Sequence, residues 1–178
     1  MNSAATVGEI EITLEELQTQ VDSILAQRKD VDTSQMQLEE GEALTRTQLS
    51  FMISNILIEE IAKDADIEIT DSELEAYKVE IYQNIGGEEM LPSILVSNAI
   101  APESLDSVLR RDLILRKIST AAAQAGSDDA AISQLIQGLV TEKAKDLNIV
   151  VNPRYGEWDN TSFSVIAKEP AGDAVTDK

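Results

Sequence analysis

The chain contains no cysteine and no histidine. Without thiols there are no disulfides, no thiolate metal sites and no cysteine nucleophile. Without imidazole there is no Ser-His triad and no proton shuttle that titrates near neutrality. Aromatic residues are scarce: Phe51, Phe163, Tyr77, Tyr82, Tyr155 and Trp158. Glycine and proline number only 8 and 4 in 178 residues. No run approaches the ~18–20 apolar residues of a membrane-spanning helix, and Met1-Asn2-Ser3-Ala4-Ala5 carries no apolar signal core. Positive charge is the last shortage: 14 Lys and Arg stand against 33 Asp and Glu, a net charge of −19. That argues against nucleic acid and anionic membrane surfaces, both of which need clustered cations. It keeps a protein soluble and attracts basic clients.

What remains is an aliphatic chain built from Ile, Leu, Val and Ala, which suits packed helices better than a sheet sandwich. Its length fits one domain. Residues 5–13 alternate apolar and polar around Gly8 and read as a short strand or hairpin. Thr13 with Glu16 forms a capping box that opens a helix carrying Leu14, Leu17, Val21 and Ile24, which runs out near Arg28 and Lys29. After a polar connector from Asp30 to Glu40, a helix from Gly41 to Ala62 is apolar nearly all round and is expected at the centre of the fold. Thr70 and Glu73 make a second capping box for a helix stopped at Gly86-Gly87.

A short helix is expected over Glu88–Ala99. Another follows Pro102 to about Gln124, and a last helix, which Ser127 can cap, carries Ile132, Leu135, Ile136, Leu139, Val140 and Leu147. Residues 148–153 read as a second short strand stopped by Pro153. The expected fold is therefore all-α, about six helices around a central hydrophobic helix, with a minor two-strand pairing of the N- and C-terminal segments. Residues 1–159 form that domain, and 160–178 read as a disordered acidic tail.

Three segments in this order carry a resemblance. They are Val7-Gly8-Glu9-Ile10-Glu11-Ile12-Thr13, Ile67-Glu68-Ile69-Thr70-Asp71-Ser72-Glu73-Leu74, and Ile100-Ala101-Pro102-Glu103-Ser104-Leu105 with its continuation Arg110–Ile118. Together they resemble the N-terminal chaperone domain of the SurA and PrsA-like extracytoplasmic foldases, with Ala101 where that family prefers a small polar residue. The closing Asn152-Pro153-Arg154-Tyr155-Gly156-Glu157-Trp158 is similar to the end of actinobacterial SurA-N-like lipoproteins. The resemblance implies a chaperone-type module outside the cytoplasmic membrane, its signal or lipoprotein segment removed, with a lipid anchor possible upstream. Family members with isomerase activity carry a histidine-containing parvulin domain, for which this chain has neither histidine nor room.

Candidate sites are weighed on chemistry. Acid pairs such as Glu15/Glu16, Glu39/Glu40 and Glu59/Glu60 arise readily among 33 carboxylates and read as solvated surface. Asp30-Val31-Asp32-Thr33-Ser34 begins like a calcium loop, but Gln35 stands where Gly is required and Gly41 where a bidentate Glu is needed. No metal site and no cofactor are expected. Met52, Met90, Leu91, Ile94 and Leu95 combine flexible Met with aliphatic residues, which suits either a client cradle or an ordinary core. Tyr155 and Trp158 would seal the helical core over the terminal strands, or flank a ligand. The expected function is ATP-independent binding of unfolded or exported polypeptides, without catalysis. The alternatives are an adaptor that docks one envelope partner and, with least support, a carboxylate-dependent hydrolase.

Overall fold

A computed structural model describes residues 2–168. It is a six-helix domain with two small sheets: β1 (Ser3–Val7), β2 (Ile10–Thr13), α1 (Leu14–Gln27), α2 (Gly41–Asp64), α3 (Asp71–Ile85), α4 (Leu91–Ser97), α5 (Leu105–Gln124), α6 (Asp129–Leu147), β3 (Ile149–Val151), β4 (Glu157–Asp159) and β5 (Ser164–Ile166).

Local chemistry sets the helix ends. Thr13 and Thr70 each accept a hydrogen bond from the backbone N–H of the glutamate three residues on, at 3.1 Å. Glu16 and Glu73 each accept one in return from the threonine N–H, at 2.7 and 2.8 Å. Two orphan donors are thus satisfied at each helix start. α3 stops because Gly86 adopts φ +95° and Gly87 donates its N–H to the Tyr82 carbonyl at 2.8 Å. α6 is capped one residue later than expected: Asp128, not Ser127, accepts from the Ala131 N–H at 2.8 Å. Asp128 has the extended backbone that an N-cap needs.

α2 packs against α1, α5, α6, β1 and β5 and is the central element. It belongs to two cores. Its stretch from Leu44 through Leu49 and Ile53 to Leu57 joins Leu17, Val21 and Ile24 of α1 and the buried residues of β1, β2 and β3. Its second half, with Ile58, Ile61 and Ala62, joins Leu74 and Tyr77 of α3 and Leu109, Leu113, Ile114 and Ile118 of α5. One polar side chain enters the first core. Gln48 is buried, and it donates to the Ala99 carbonyl at 2.9 Å while accepting from Gln20 at 2.8 Å. Both ends of its amide are thereby satisfied.

The N- and C-terminal segments of the domain pair as expected, but with more strand. β1 and β2 form a hairpin through Gly8-Glu9, and β3 adds to the other side of β1, giving the order β2-β1-β3, all antiparallel. Asn152 fastens the junction: its backbone N–H reaches the Ala4 carbonyl and its side-chain amide the Ser3 carbonyl, both at 2.9 Å. β4 and β5 form a second hairpin, with Trp158 opposite Val165, that lies on α2. Val165 is buried and its N–H donates to Ser50 Oγ of α2 at 2.8 Å. The remainder of the expected tail, residues 169–178, lies outside the described residues.

Candidate functional site

The apolar concavity of the second core lies where the end of α2, the second half of α5 and the middle of α6 diverge. It has a volume of about 580 Å³. Its floor is Ile61, Ile67, Ile118 and Ala122, and Leu135 and Leu139 of α6 form the facing wall. The local reason is the sparse packing of α6: Ala144 is its buried residue, and Leu135 is 43% exposed although it lies on the apolar stripe. The stripe is wider than α2 and α5 together cover, so part of it faces solvent. That makes a groove of aliphatic side chains with no polar anchor in its floor, an arrangement that favours burial of apolar segments with little sequence preference.

The rim is charged and already satisfied internally. Lys143 of α6 pairs with Asp64 of α2, and that carboxylate holds the ammonium above its ordinary range. Lys117 of α5 pairs with Glu73 at 2.7 Å and also donates to the Glu68 carbonyl at 2.8 Å. The Lys117 hydrogen bond, helped by the capping bond to Thr70, lowers the Glu73 carboxyl to about 2. Glu142 and Asp146 complete the lining. Both cations of the rim are thus matched before any partner arrives, so the groove attracts through its floor.

The residues singled out for a client cradle are only partly brought together. Met90 and Ile94 are exposed, at 44% and 37%, and Leu91 is half-buried. Leu95 turns inward: it is 4% exposed beside buried Val96 and serves as core. Met52 stands on α2 and lines a different depression with Thr13, Glu16, Gln20 and Glu103. Thr13, Glu16, Thr70 and Glu73 act in the two capping boxes. Tyr155 and Trp158 pack against the first core, and Trp158 Nε1 donates to Asn160 at 3.0 Å. The groove of the second core was not singled out from the sequence. Its residues come from three helices, and each alone reads as a member of an ordinary apolar stripe.

Three other charged groups, all on α5, act on one another. Asp112 is held above its ordinary range by burial, with Arg111 and Arg116 pulling the other way. Those arginines are stacked on aromatic faces, Arg111 over Phe51 at 5.1 Å and Arg116 over Tyr77 at 4.6 Å. Among the described residues no group of three or more carboxylates converges as a metal site would require, and no helix is long and apolar enough to cross a membrane.

Comparison with known proteins adds one finding. The family model described as the SurA-like N-terminal domain matches residues 1–119, from β1 to the second half of α5. No curated protein and no solved structure matches the chain.

Proposed function

The chain belongs to the family of SurA-like N-terminal domains, and from that premise we propose that it binds unfolded or exported polypeptides without ATP and without prolyl isomerase chemistry. The observation that carries this reading is the aliphatic groove between α2, α5 and α6, open to solvent at Leu135 and free of polar anchors in its floor. Such a surface holds apolar segments of many sequences weakly, because it lacks the aromatic and arginine anchors that concentrate binding energy. The exposed Met90, just before α4, and Ile94 on it give a second, smaller apolar contact. The acidic exterior keeps complexes dispersed and favours basic segments. An extracytoplasmic address belongs to the same proposal.

The test is suppression of aggregation of a chemically unfolded reference protein by the purified chain, with salt titrated alongside. Suppression near equimolar ratio is expected, reduced in Leu135→Asp with Leu139→Asp. Loss in salt would assign the effect to the −19 charge. No suppression at several-fold excess overturns the reading and leaves a dedicated-partner adaptor in its place.

A further inference from the structure

The three-stranded sheet ends on an unpaired edge. β2 is the outer strand in the order β2-β1-β3. Its hairpin closes on Val7 and Ile10 through the two-residue turn Gly8-Glu9, and Ala5 faces Ile12 two residues on. In an antiparallel ladder of this register those pairs exchange both backbone hydrogen bonds, and the residue between them turns its own groups away. That residue is Glu11. Its N–H and C=O lie along the outer edge, and neither meets a partner among the described residues. An exposed pair of this kind is a template for one more strand.

Beside the edge runs a trough made of two joined depressions, about 280 Å³ and about 460 Å³, which share Glu16, Gln20 and Met52. Its apolar contacts are open to solvent: Ile10 is 41% exposed, and Phe51, Met52 and Ile56 of α2 are half-buried. Its charge is all of one sign. Glu11, Glu15, Glu16 and Glu103 line it, all of them exposed, and no lysine or arginine does. Glu16 and Glu103 accept hydrogen bonds from Thr13 and Ser23, but neutral donors cancel no charge. Asn55, in the same lining, has a buried side-chain oxygen with no partner among the described residues. The trough is therefore short of donors as well as of cations.

The pleat decides which side chains an added strand presents. Ile12 is buried in the first core, and Met52 and Ile56 pack against that core. Ile10 shares the face of Ile12, and Glu11 points to the opposite one. On a further strand, the residue opposite Glu11 lies on the Glu11 face, and its two neighbours lie on the face of Ile10 and Ile12. We propose that β2 receives an extended segment of pattern aliphatic-basic-aliphatic as a fourth strand of the sheet. Its central N–H and C=O bond to Glu11, its Lys or Arg lies beside the Glu11 carboxylate, and its flanking side chains rest against Ile10, Phe51 and Met52. Cross-strand pairs of opposite charge are favourable, and the same trough repels an acidic segment. This inference rests on the polypeptide-binding reading and gives it a site where backbone and charge choose the segment.

The test is an NMR titration of the isotope-labelled chain with the peptide Ser-Gly-Val-Lys-Val-Gly-Ser, acetylated and amidated at its ends. Binding is expected to slow exchange of the Glu11 amide hydrogen. Methylating the backbone nitrogen of the lysine removes the donor to the Glu11 carbonyl and should weaken binding at least about fivefold, the worth of one hydrogen bond. Methylating the nitrogen of the second valine, which faces away, should leave binding unchanged. Replacing the lysine by glutamate should weaken binding about threefold or more, and Glu11→Lys, with wild-type circular dichroism, should reverse that preference. The proposal is overturned by an unchanged Glu11 exchange rate at saturation, by equal weakening in the two methylated peptides, or by equal binding of the lysine and glutamate peptides. Aggregation suppression by the same chain separates the two readings: where it persists with no protection at Glu11, strand addition alone is rejected.

Discussion

Gly156 leads into β4, and its backbone lies against Ile166 at the end of β5. Its φ is +130°, where an L side chain is strained, and a Cβ placed on it would overlap the carbonyl oxygen of Ile166. Gly156→Ala must therefore accept strain or release the hairpin. Strain at such a φ costs about 1–3 kcal/mol, and the overlap adds to it, because the obstructing atom is backbone and cannot rotate away. Release sets the upper limit. It forfeits burial of Val165, worth about 1.5–3 kcal/mol, and the Val165 N–H to Ser50 bond, worth about 1 kcal/mol. The cost is thus bounded near 4 kcal/mol, and in urea, at about 2 kcal/mol per molar, the midpoint falls by about 1–2 M. Trp158 is the only tryptophan and lies on β4 opposite Val165, so its emission reports the hairpin while circular dichroism reports the helices. Release predicts red-shifted emission in native buffer with unchanged helicity. A midpoint within error of wild type together with unchanged emission would refute the reasoning.

Four further outcomes are expected. Leu135→Asp, at a position 43% exposed, should change stability by no more than about 0.5 kcal/mol yet weaken aggregation suppression; full suppression by the folded variant would exclude the groove. Thr70→Ala removes a cap whose hydroxyl accepts the Glu73 N–H and should cost about 1 kcal/mol, read from the urea midpoint. The Glu73 carboxyl is lowered from 4.5 to about 2, so its stabilisation is complete above 4.5 and lost as pH falls towards 2; Glu73→Gln should flatten that limb of the Tm profile. Burial raises the Asp112 carboxyl, so the fold is penalised once that group ionises. Asp112→Asn should then raise Tm at pH 7 and converge with wild type below the ordinary value of 3.8.

Elements whose signal is local could be read from the chain alone. Thr13 with Glu16 and Thr70 with Glu73 announce helix starts because the capping box is complete within four residues. The all-round apolar run from Leu49 to Ile61 announces the central helix because such a surface needs neighbours on every side. β4 and β5 gave no such signal. Three residues each cannot show a period, and Glu157-Trp158-Asp159 reads as polar loop until Val165 on the partner strand is seen buried against α2. Gln48 was equally hidden, since a polar letter in an apolar helix is satisfied only by Gln20 and Ala99, 28 and 51 residues away. Which residues of α4 face inward could not be read from the chain, because the helix is short. Within seven residues, Ile94 and Leu95 look alike in sequence and face opposite ways.

The charge distribution ties the fold to the proposed activity. α5 carries Arg110, Arg116 and Lys117, and each is drawn to an acid on a neighbouring helix: Glu59 on α2, Glu80 on α3 and Glu73 on α3. Lys78 on α3 answers with Asp106 on α5. Four of the 14 cations therefore hold α3 and α2 around α5, over the core formed by Leu109, Leu113, Ile114 and Ile118. The acids left over set the surface. A groove that opens in such a surface cannot recruit acidic segments by charge, and its own rim lysines are occupied by Asp64 and Glu73. What distinguishes it is its aliphatic floor.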